Sequence, residues 1–227
     1  AALMEEAARA GVRRIVHLST TAVYGRGPHR GAAVGELDPA PGSPASRTRL
    51  AGEAHALRQG ALVLRAGLVT GAGDRWVVPA LAELTRRVPG YWMGGRALMS
   101  MIAVEDLANL IASAALGSPS GEPPAVHGIH HAVHPEPVRN RDLLDALASL
   151  GVLPPVSGEL TWQQCVSLMS ENPGRISERQ LTLLARDHFY SADSLWRDCE
   201  CDPGPGPLAR LTDAAHWYRT HLAGIRS

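Results

Sequence analysis

Twice in its first third the chain passes from a helical stretch into a short apolar run of strand character. Residues 1–11 form an amphipathic stretch with acids inside it and end on Gly11, a residue suited to closing a helix in the left-handed conformation. Val12–Ser19 (VRRIVHLS) follows, short and rich in β-branched residues. A helix expected over 46–58 then leads to Ala61–Arg65 (ALVLR). Helices alternating with such runs predict an α/β protein, with the runs as buried strands of a parallel sheet. Residues 25–46, rich in Gly, Pro, Ala and Ser, read as an irregular surface connection, and Gly67–Gly73 as a glycine-rich turn.

From about residue 75 the pattern becomes helical. Val77, Val78, Leu81, Leu84 and Val88 share one face of a helix over 75–87. Leu107, Leu110 and Ile111 do the same over 104–116, and Leu143, Leu144 and Leu147 over 140–150. Ser177 with Gln180 makes a capping box ahead of Leu181, Leu183 and Leu184. A last helix over 207–223 carries Leu208, Leu211, Ala215, Tyr218 and Leu222, behind the rigid Pro203-Gly204-Pro205-Gly206-Pro207. A strand is expected at 125–131. Trp162, Trp196, Trp217 and Phe189 are expected to pack the C-terminal helices together. The division that results is 1–75 and 76–227, the second part mainly helical.

Composition excludes several function classes. Formal net charge is zero, without the basic excess of a nucleic-acid binder. No apolar run approaches membrane-spanning length. Three cysteines, Cys165, Cys199 and Cys201, make no disulfide framework, so a reducing, cytoplasmic setting is expected. Cys199 and Cys201 lack a second Cys pair, and no Asp or Cys completes a set with His127, His130, His131 and His134; no metal is expected. All 22 basic residues are arginine, so no lysine can act as a base or tune a neighbouring phenol.

Four segments occur in order. Leu18-Ser19-Thr20-Thr21-Ala22-Val23-Tyr24-Gly25 closes the first strand, and Pro44-Ala45-Ser46-Arg47-Thr48-Arg49-Leu50-Ala51-Gly52-Glu53 opens the next helix. Leu64-Arg65-Ala66-Gly67-Leu68-Val69-Thr70-Gly71-Ala72-Gly73 closes the second strand, and Ile102-Ala103-Val104-Glu105-Asp106-Leu107-Ala108 opens another helix. Each alone is weak; together, in this order, they resemble the extended short-chain dehydrogenase/reductases, the NAD-dependent epimerase/dehydratase family. That resemblance is dense over 1–116 and looser after it. It implies the C-terminal part of a Rossmann-type parallel sheet with a mainly helical substrate-binding region.

The resemblance also implies roles. Thr20 matches the hydroxyl that polarises a substrate carbonyl, a role that competes with an ordinary turn cap. The tyrosine and lysine of the family's Y-x-x-x-K pair fall on Ala45 and Arg49, so the usual proton-handling pair is absent. Losing a positioned acid costs about 10²–10⁴ in rate, so hydride transfer stays open if water, a substrate hydroxyl or Tyr24 supplies the proton. Leu18, Ser19, Arg49, Ala66, Gly67 and Val69 are expected to line a bound NAD or NADP, with Ala66 standing where the family has proline. Thr21 and Arg96 are expected at the substrate, with Arg139 as a further anion contact, and Glu105 and Asp106 as carboxylates favouring a helix N-terminus. The family's glycine-rich phosphate loop is expected upstream of Ala1, so the chain reads as the latter part of a longer protein. The implied function is an NAD(P)-dependent, ketoreductase-like oxidoreductase of a small-molecule carbonyl or hydroxyl substrate with a non-standard proton donor. A non-catalytic dinucleotide-binding member and a fragment of a nucleotide-sugar epimerase or dehydratase are the alternatives. The helix bearing Arg49 forms a dimer bundle in the family, so a homodimer is expected.

Overall fold

The computed structural model describes residues 2–117, 124–192 and 194–226; Ala1, placed in the first helix from sequence, lies outside them. Helix α1 (Ala2–Arg9) stops where expected, with Gly11 at φ +67° and the Gly11 and Val12 N–H groups bonded to the Ala8 and Ala7 carbonyls. Strand β1 (Val16–Thr20) ends in a 3-10 turn, Thr21–Tyr24, and is followed by β2 (His29–Ala32). Then come α2 (Pro44–Leu57), β3 (Leu62–Ala66), β4 (Leu68–Thr70), α3 (Val77–Arg87), β5 (Tyr91–Trp92), β6 (Leu98–Met99), β7 (Met101–Ala103) and α4 (Val104–Leu116). The rest comprises β8 (Gly128–Ala132), β9 (Val138–Arg139), α5 (Asn140–Ser149), β10 (Glu159–Leu160), α6 (Trp162–Glu171), α7 (Glu178–Ala185), β11 (His188–Tyr190), α8 (Leu195–Asp198) and α9 (Pro207–Arg226).

The main sheet is parallel, in the order β1-β3-β8, with Thr20 opposite Ala66 and Ala66 opposite Ala132. Alternation along β3 decides what each face touches. Leu62, Leu64 and Ala66 point into a core with Leu107, Leu110 and Ala114 of α4 and Leu195 and Trp196 of α8. Val63 points the other way, against Ala56 of α2 and Met4 of α1. Arg65 shares that second face, and Glu53 of α2 meets it there. A second, larger core joins α3, α5, α6, α7 and α9 around Leu81, Leu84, Trp92, Leu143, Leu147 and Tyr218.

Several expectations change. The 25–46 connection contains β2, which pairs in parallel with β11 in a four-stranded sheet ordered β2-β11-β6-β9; its Gly- and Pro-rich flanks hid it. The Gly67–Gly73 turn contains β4, paired with β7, because Leu68–Thr70 supplies three extended residues between the glycines. Six short strands besides β8 lie beyond residue 75 among the described residues, too brief for period-2 alternation to register. Helix α6, capped by Thr161 with Gln164, was not expected. Trp196 packs on the main sheet rather than among the C-terminal helices, its indole N–H donating to the Val133 carbonyl at 2.8 Å, and Phe189 lies on β11. Trp162 and Trp217 do lie against the helical core. Among the described residues no helix is long and apolar enough to cross a membrane.

Candidate functional site

Where β1 and β3 end side by side, a crevice of about 520 Å³ opens, lined by Leu18, Ser19 and Thr20, by Arg49 of α2, and by residues 66–77 and Val104. Parallel sheets gather ligands beyond the carboxyl ends of their strands, because crossover helices leave a gap there. Of the residues expected at the cofactor, Leu18, Ser19, Arg49, Ala66, Gly67 and Val69 all line this crevice. Leu18 is 37% exposed instead of buried, on the strand at the edge of the main sheet among the described residues, and it lines the crevice.

Thr20 is the N-cap of the 3-10 turn: its Oγ1 accepts from the Ala22 N–H at 3.2 Å. The cap occupies one lone pair, and the hydroxyl hydrogen remains for another acceptor. Ser19 faces the other way and donates to Glu53 Oε1, while Arg65 grips both Glu53 oxygens at 3.0 and 2.7 Å. Glu53 and Arg65 are 2% and 4% exposed, so the pair lies wholly beneath the site. Burial opposes the Arg65 charge, but hydrogen bonding and attraction to Glu53 and Tyr24 together outweigh it, leaving the guanidinium pKa raised.

Ala45 and Arg49 lie one turn apart on exposed positions of α2, and Arg49 Nη1 donates to the Leu18 carbonyl at 3.3 Å. Gly67 is required by close approach: a Cβ there would lie 2.4 Å from the Ser100 carbonyl oxygen. Thr70 is 1% exposed, and its Oγ1 finds no partner among the described residues although the residue lines the crevice. The far wall is pinned from the end of the chain. Tyr218 of α9 accepts from the Gly71 N–H at 2.8 Å and donates to Asp74 Oδ2 at 3.1 Å. Asp74 also caps α3, taking the N–H groups of Trp76, Val77 and Val78.

The remaining expected residues lie elsewhere. Tyr24 is 2% exposed and does not line the crevice; its hydroxyl bonds His131 Nε2 at 2.7 Å, and its ring stacks on Tyr190 at 5.3 Å. His29 joins this cluster through Tyr190, Nδ1 to hydroxyl at 2.8 Å, and His188 packs against His29 at 5.3 Å. Thr21 is half-buried at the start of the 3-10 turn and bonds Tyr190. Arg96 is exposed, pairs with Glu159 at 3.1 Å, and lines a different hollow with Pro28 and Asp187. Arg139 is exposed on β9. Asp106 does more than favour a helix N-terminus: it is 2% exposed and pairs with Arg210 of α9 at 2.7 Å. The three cysteines are free, and burial pushes the Cys199 thiol up to about 11. No group of three metal-ligating side chains occurs among the described residues.

Sequence reasoning missed the Glu53–Arg65 pair, the Tyr218 clamp and the Thr70 hydroxyl. A charge inside the otherwise apolar run of β3, preceded by an acid on α2, was the available signal for the first. The clamp had none, because the two ends are 144 residues apart.

Over residues 1–126 the sequence matches the family described as NAD dependent epimerase/dehydratase family. No curated protein sequence matches the chain. Among solved structures, a dTDP-glucose 4,6-dehydratase from Bacillus anthracis in complex with NAD is similar at TM-score 0.65 and 16% identity, over 96% of this chain and 65% of that one. The UDP-glucose 4-epimerase of Thermus thermophilus in complex with NAD is similar at 0.64 and 21%, over 96% and 67%. A short-chain dehydrogenase/reductase superfamily protein from Agrobacterium tumefaciens with bound NAD gives 0.66 and 20%, over 99% and 72%. The chain thus spans about two thirds of the length of the first two, and at these identities the likeness establishes the fold.

Proposed function

Because the chain belongs to the NAD dependent epimerase/dehydratase family, we propose that it forms the catalytic-face part of an NAD(P)-dependent reductase of small-molecule carbonyl compounds. The observation that carries this reading is the chemistry of the crevice lining. It holds no tyrosine, histidine, cysteine or lysine, and its one carboxylate, Asp74, is engaged by three backbone N–H groups and by Tyr218. An epimerase or dehydratase needs a base to strip a proton from a sugar hydroxyl or carbon. A reductase needs only an acid, which water or a substrate hydroxyl can supply.

The lining suits a dinucleotide's nicotinamide end: it includes the small or apolar Ala66, Gly67 and Val69, the cationic Arg49, and Thr70, whose hydroxyl has no partner among the described residues. Leu18, Ser19, Arg49, Ala66, Gly67 and Val69 would hold that end, where a nicotinamide would supply hydride. Thr20 then directs its hydroxyl hydrogen at the substrate carbonyl oxygen and polarises it. Arg49, a permanent cation, orients ribose or phosphate oxygens and moves no proton. Residues 1–75 are taken as the dinucleotide-binding part, completed by β8 and α4, and residues 76–227 otherwise as the substrate-binding part. Homodimerisation through α2 is part of the same reading, since Arg47, Thr48, Ala51 and Ala54 are exposed; sedimentation would report it.

The test is NAD(P)H-linked reduction of a carbonyl panel by Thr20→Val and Thr20→Ser. Val is expected to lower turnover by about 10²–10³ at unchanged cofactor affinity, with Ser restoring most of it. A Val variant as fast as the parent removes Thr20 from the mechanism. The same vacant lining also supports a non-catalytic, dinucleotide-binding role. That role predicts cofactor binding without turnover, and activity created from none by Ala45→Tyr with Arg49→Lys.

A further inference from the structure

A second cleft, of about 320 Å³, lies where α6 and α7 meet the turn after Tyr24, and it shares no lining residue with the crevice. Three arginines line it: Arg26 from the turn, Arg179 from the start of α7, and Arg186 just past its end. Glu178 is the only acid in the lining, so the formal balance is three positive charges against one negative. Arginines nearby are matched to carboxylates: Arg87 with Glu83, Arg141 and Arg96 with Glu159, and Arg30 with Asp187. No ion pair joins Arg26, Arg179 or Arg186 to a carboxylate among the described residues. Gathering like charges without counter-charge is unfavourable unless an anion completes the set.

Two other polar groups of the cleft are already engaged. The Thr182 hydroxyl donates to the Glu178 carbonyl at 2.9 Å, and the Gly27 N–H donates to His188 Nε2 at 3.1 Å. What remains to meet a ligand is mainly guanidinium N–H from three side chains, donors without acceptors, against the single Glu178 carboxylate. Arg186 is held in place by its position 4.8 Å from the centre of the Trp162 ring, a cation–π contact that orders the side chain before a ligand arrives. A ligand that offers only acceptors, in tetrahedral clusters that a guanidinium fork matches, is a phosphate. The cleft is at the small end of small-molecule sites, about 300–1,000 Å³, which suits a phosphate or diphosphate bearing a short organic body.

We propose that the cleft between Arg26, Arg179 and Arg186 is an anion site for the phosphate or diphosphate group of a small metabolite, separate from the crevice at the strand ends. The proposal does not rest on the reductase reading. Titration calorimetry of the chain with inorganic pyrophosphate at low salt tests it. One saturable site is expected, weakened tenfold or more in Arg179→Gln/Arg186→Gln and weakened by added salt, with Arg49→Gln leaving it unchanged. Arg179 is half-buried on α7 and Arg186 is exposed just past its end, and an unchanged thermal midpoint verifies that the double variant folds. The absence of saturable heat at millimolar pyrophosphate overturns the proposal. So does an affinity indifferent to the double variant, or one lost in Arg49→Gln, which would seat the ion in the crevice.

Discussion

The crevice at the strand ends and the ring cluster behind it flank the same short 3-10 turn, yet they are built from opposite materials. The crevice is mostly Gly, Ala, Val and Leu, with the hydroxyl residues Ser19, Thr20 and Thr70, the guanidinium residues Arg49 and Arg75 and the single carboxylate residue Asp74 in its lining. The cluster packs Tyr24, His29, His131, His188 and Tyr190 together, with the Arg65 guanidinium 4.7 Å from the centre of the Tyr24 ring. Tyrosine and histidine are therefore plentiful close to the site and absent from its lining. Each ring in the cluster has a protein partner: His188, for instance, donates from Nδ1 to the Arg186 carbonyl and accepts at Nε2 from Gly27. Proximity of a tyrosine or histidine to a site is thus no warrant for proton transfer when burial and partners have already fixed its hydrogen.

Glu53 and Arg65 lie under both regions, so the largest effect is expected there. Glu53→Ala strands a buried guanidinium and should cost about 3–5 kcal/mol, a fall of roughly 6–20 °C in melting temperature for a chain of this size. Glu53→Leu with Arg65→Met should recover most of it, because removing both charges leaves neither unpaired. Tyr24→Phe separates the two regions more sharply. Loss of the hydroxyl leaves His131 a partner short and should lower stability by about 1–3 kcal/mol in a urea titration. Turnover per folded molecule should not change; a loss of 10²-fold or more would make Tyr24 the proton source and end the contrast.

A smaller effect comes from pH. Burial holds His29 and His188 below the ordinary imidazole range, reinforced for His29 by the neighbouring His188, while Asp187 and the Arg186 carbonyl pull His188 the other way. Below about pH 6.5 the unfolded chain takes up protons that the folded chain refuses. Stability is therefore full near neutrality and declines from pH 7 toward pH 5. Melting curves should show that decline, shallower in His188→Gln, whose amide can still accept from Gly27 and donate to Arg186; equal slopes would remove His188 as the cause. Smallest of all is Arg96→Gln. Its pair with Glu159 is exposed, so under about 1 kcal/mol should be lost, and NADP affinity measured by fluorescence should stay as it was. A change there would extend the crevice beyond its present walls.

How much of this was legible in the sequence depended on length and on partners. Helix α4 and the Ser177–Gln180 box stood out because a helix states its period over several turns, and a capping box is a local exchange of hydrogen bonds. Two of the three strands of the main sheet were legible as apolar runs, though Val12–Ile15 remained outside β1, and the strand expected at 125–131 is β8, Gly128–Ala132. Strands β2 and β4–β7 were not, since two to four residues cannot display alternation and their partners lie far along the chain. The crevice residues followed from motif order, which carries strand ends with it. The place of Tyr24 did not: its partners His131 and Tyr190 come from β8 and β11, and only tertiary packing brings three such distant rings together.

Helix α9 reaches back across the molecule twice, through Tyr218 to the Gly71–Asp74 wall and through Arg210 to buried Asp106. The twenty residues of α9 thus act as a clasp on a crevice whose recognisable motifs all lie before residue 109. A stop codon just before Pro207 would spare every one of those motifs while releasing one wall and leaving Asp106 an unneutralised buried charge. Versions that lack α9 and look intact by motif alone are for that reason expected to bind cofactor poorly.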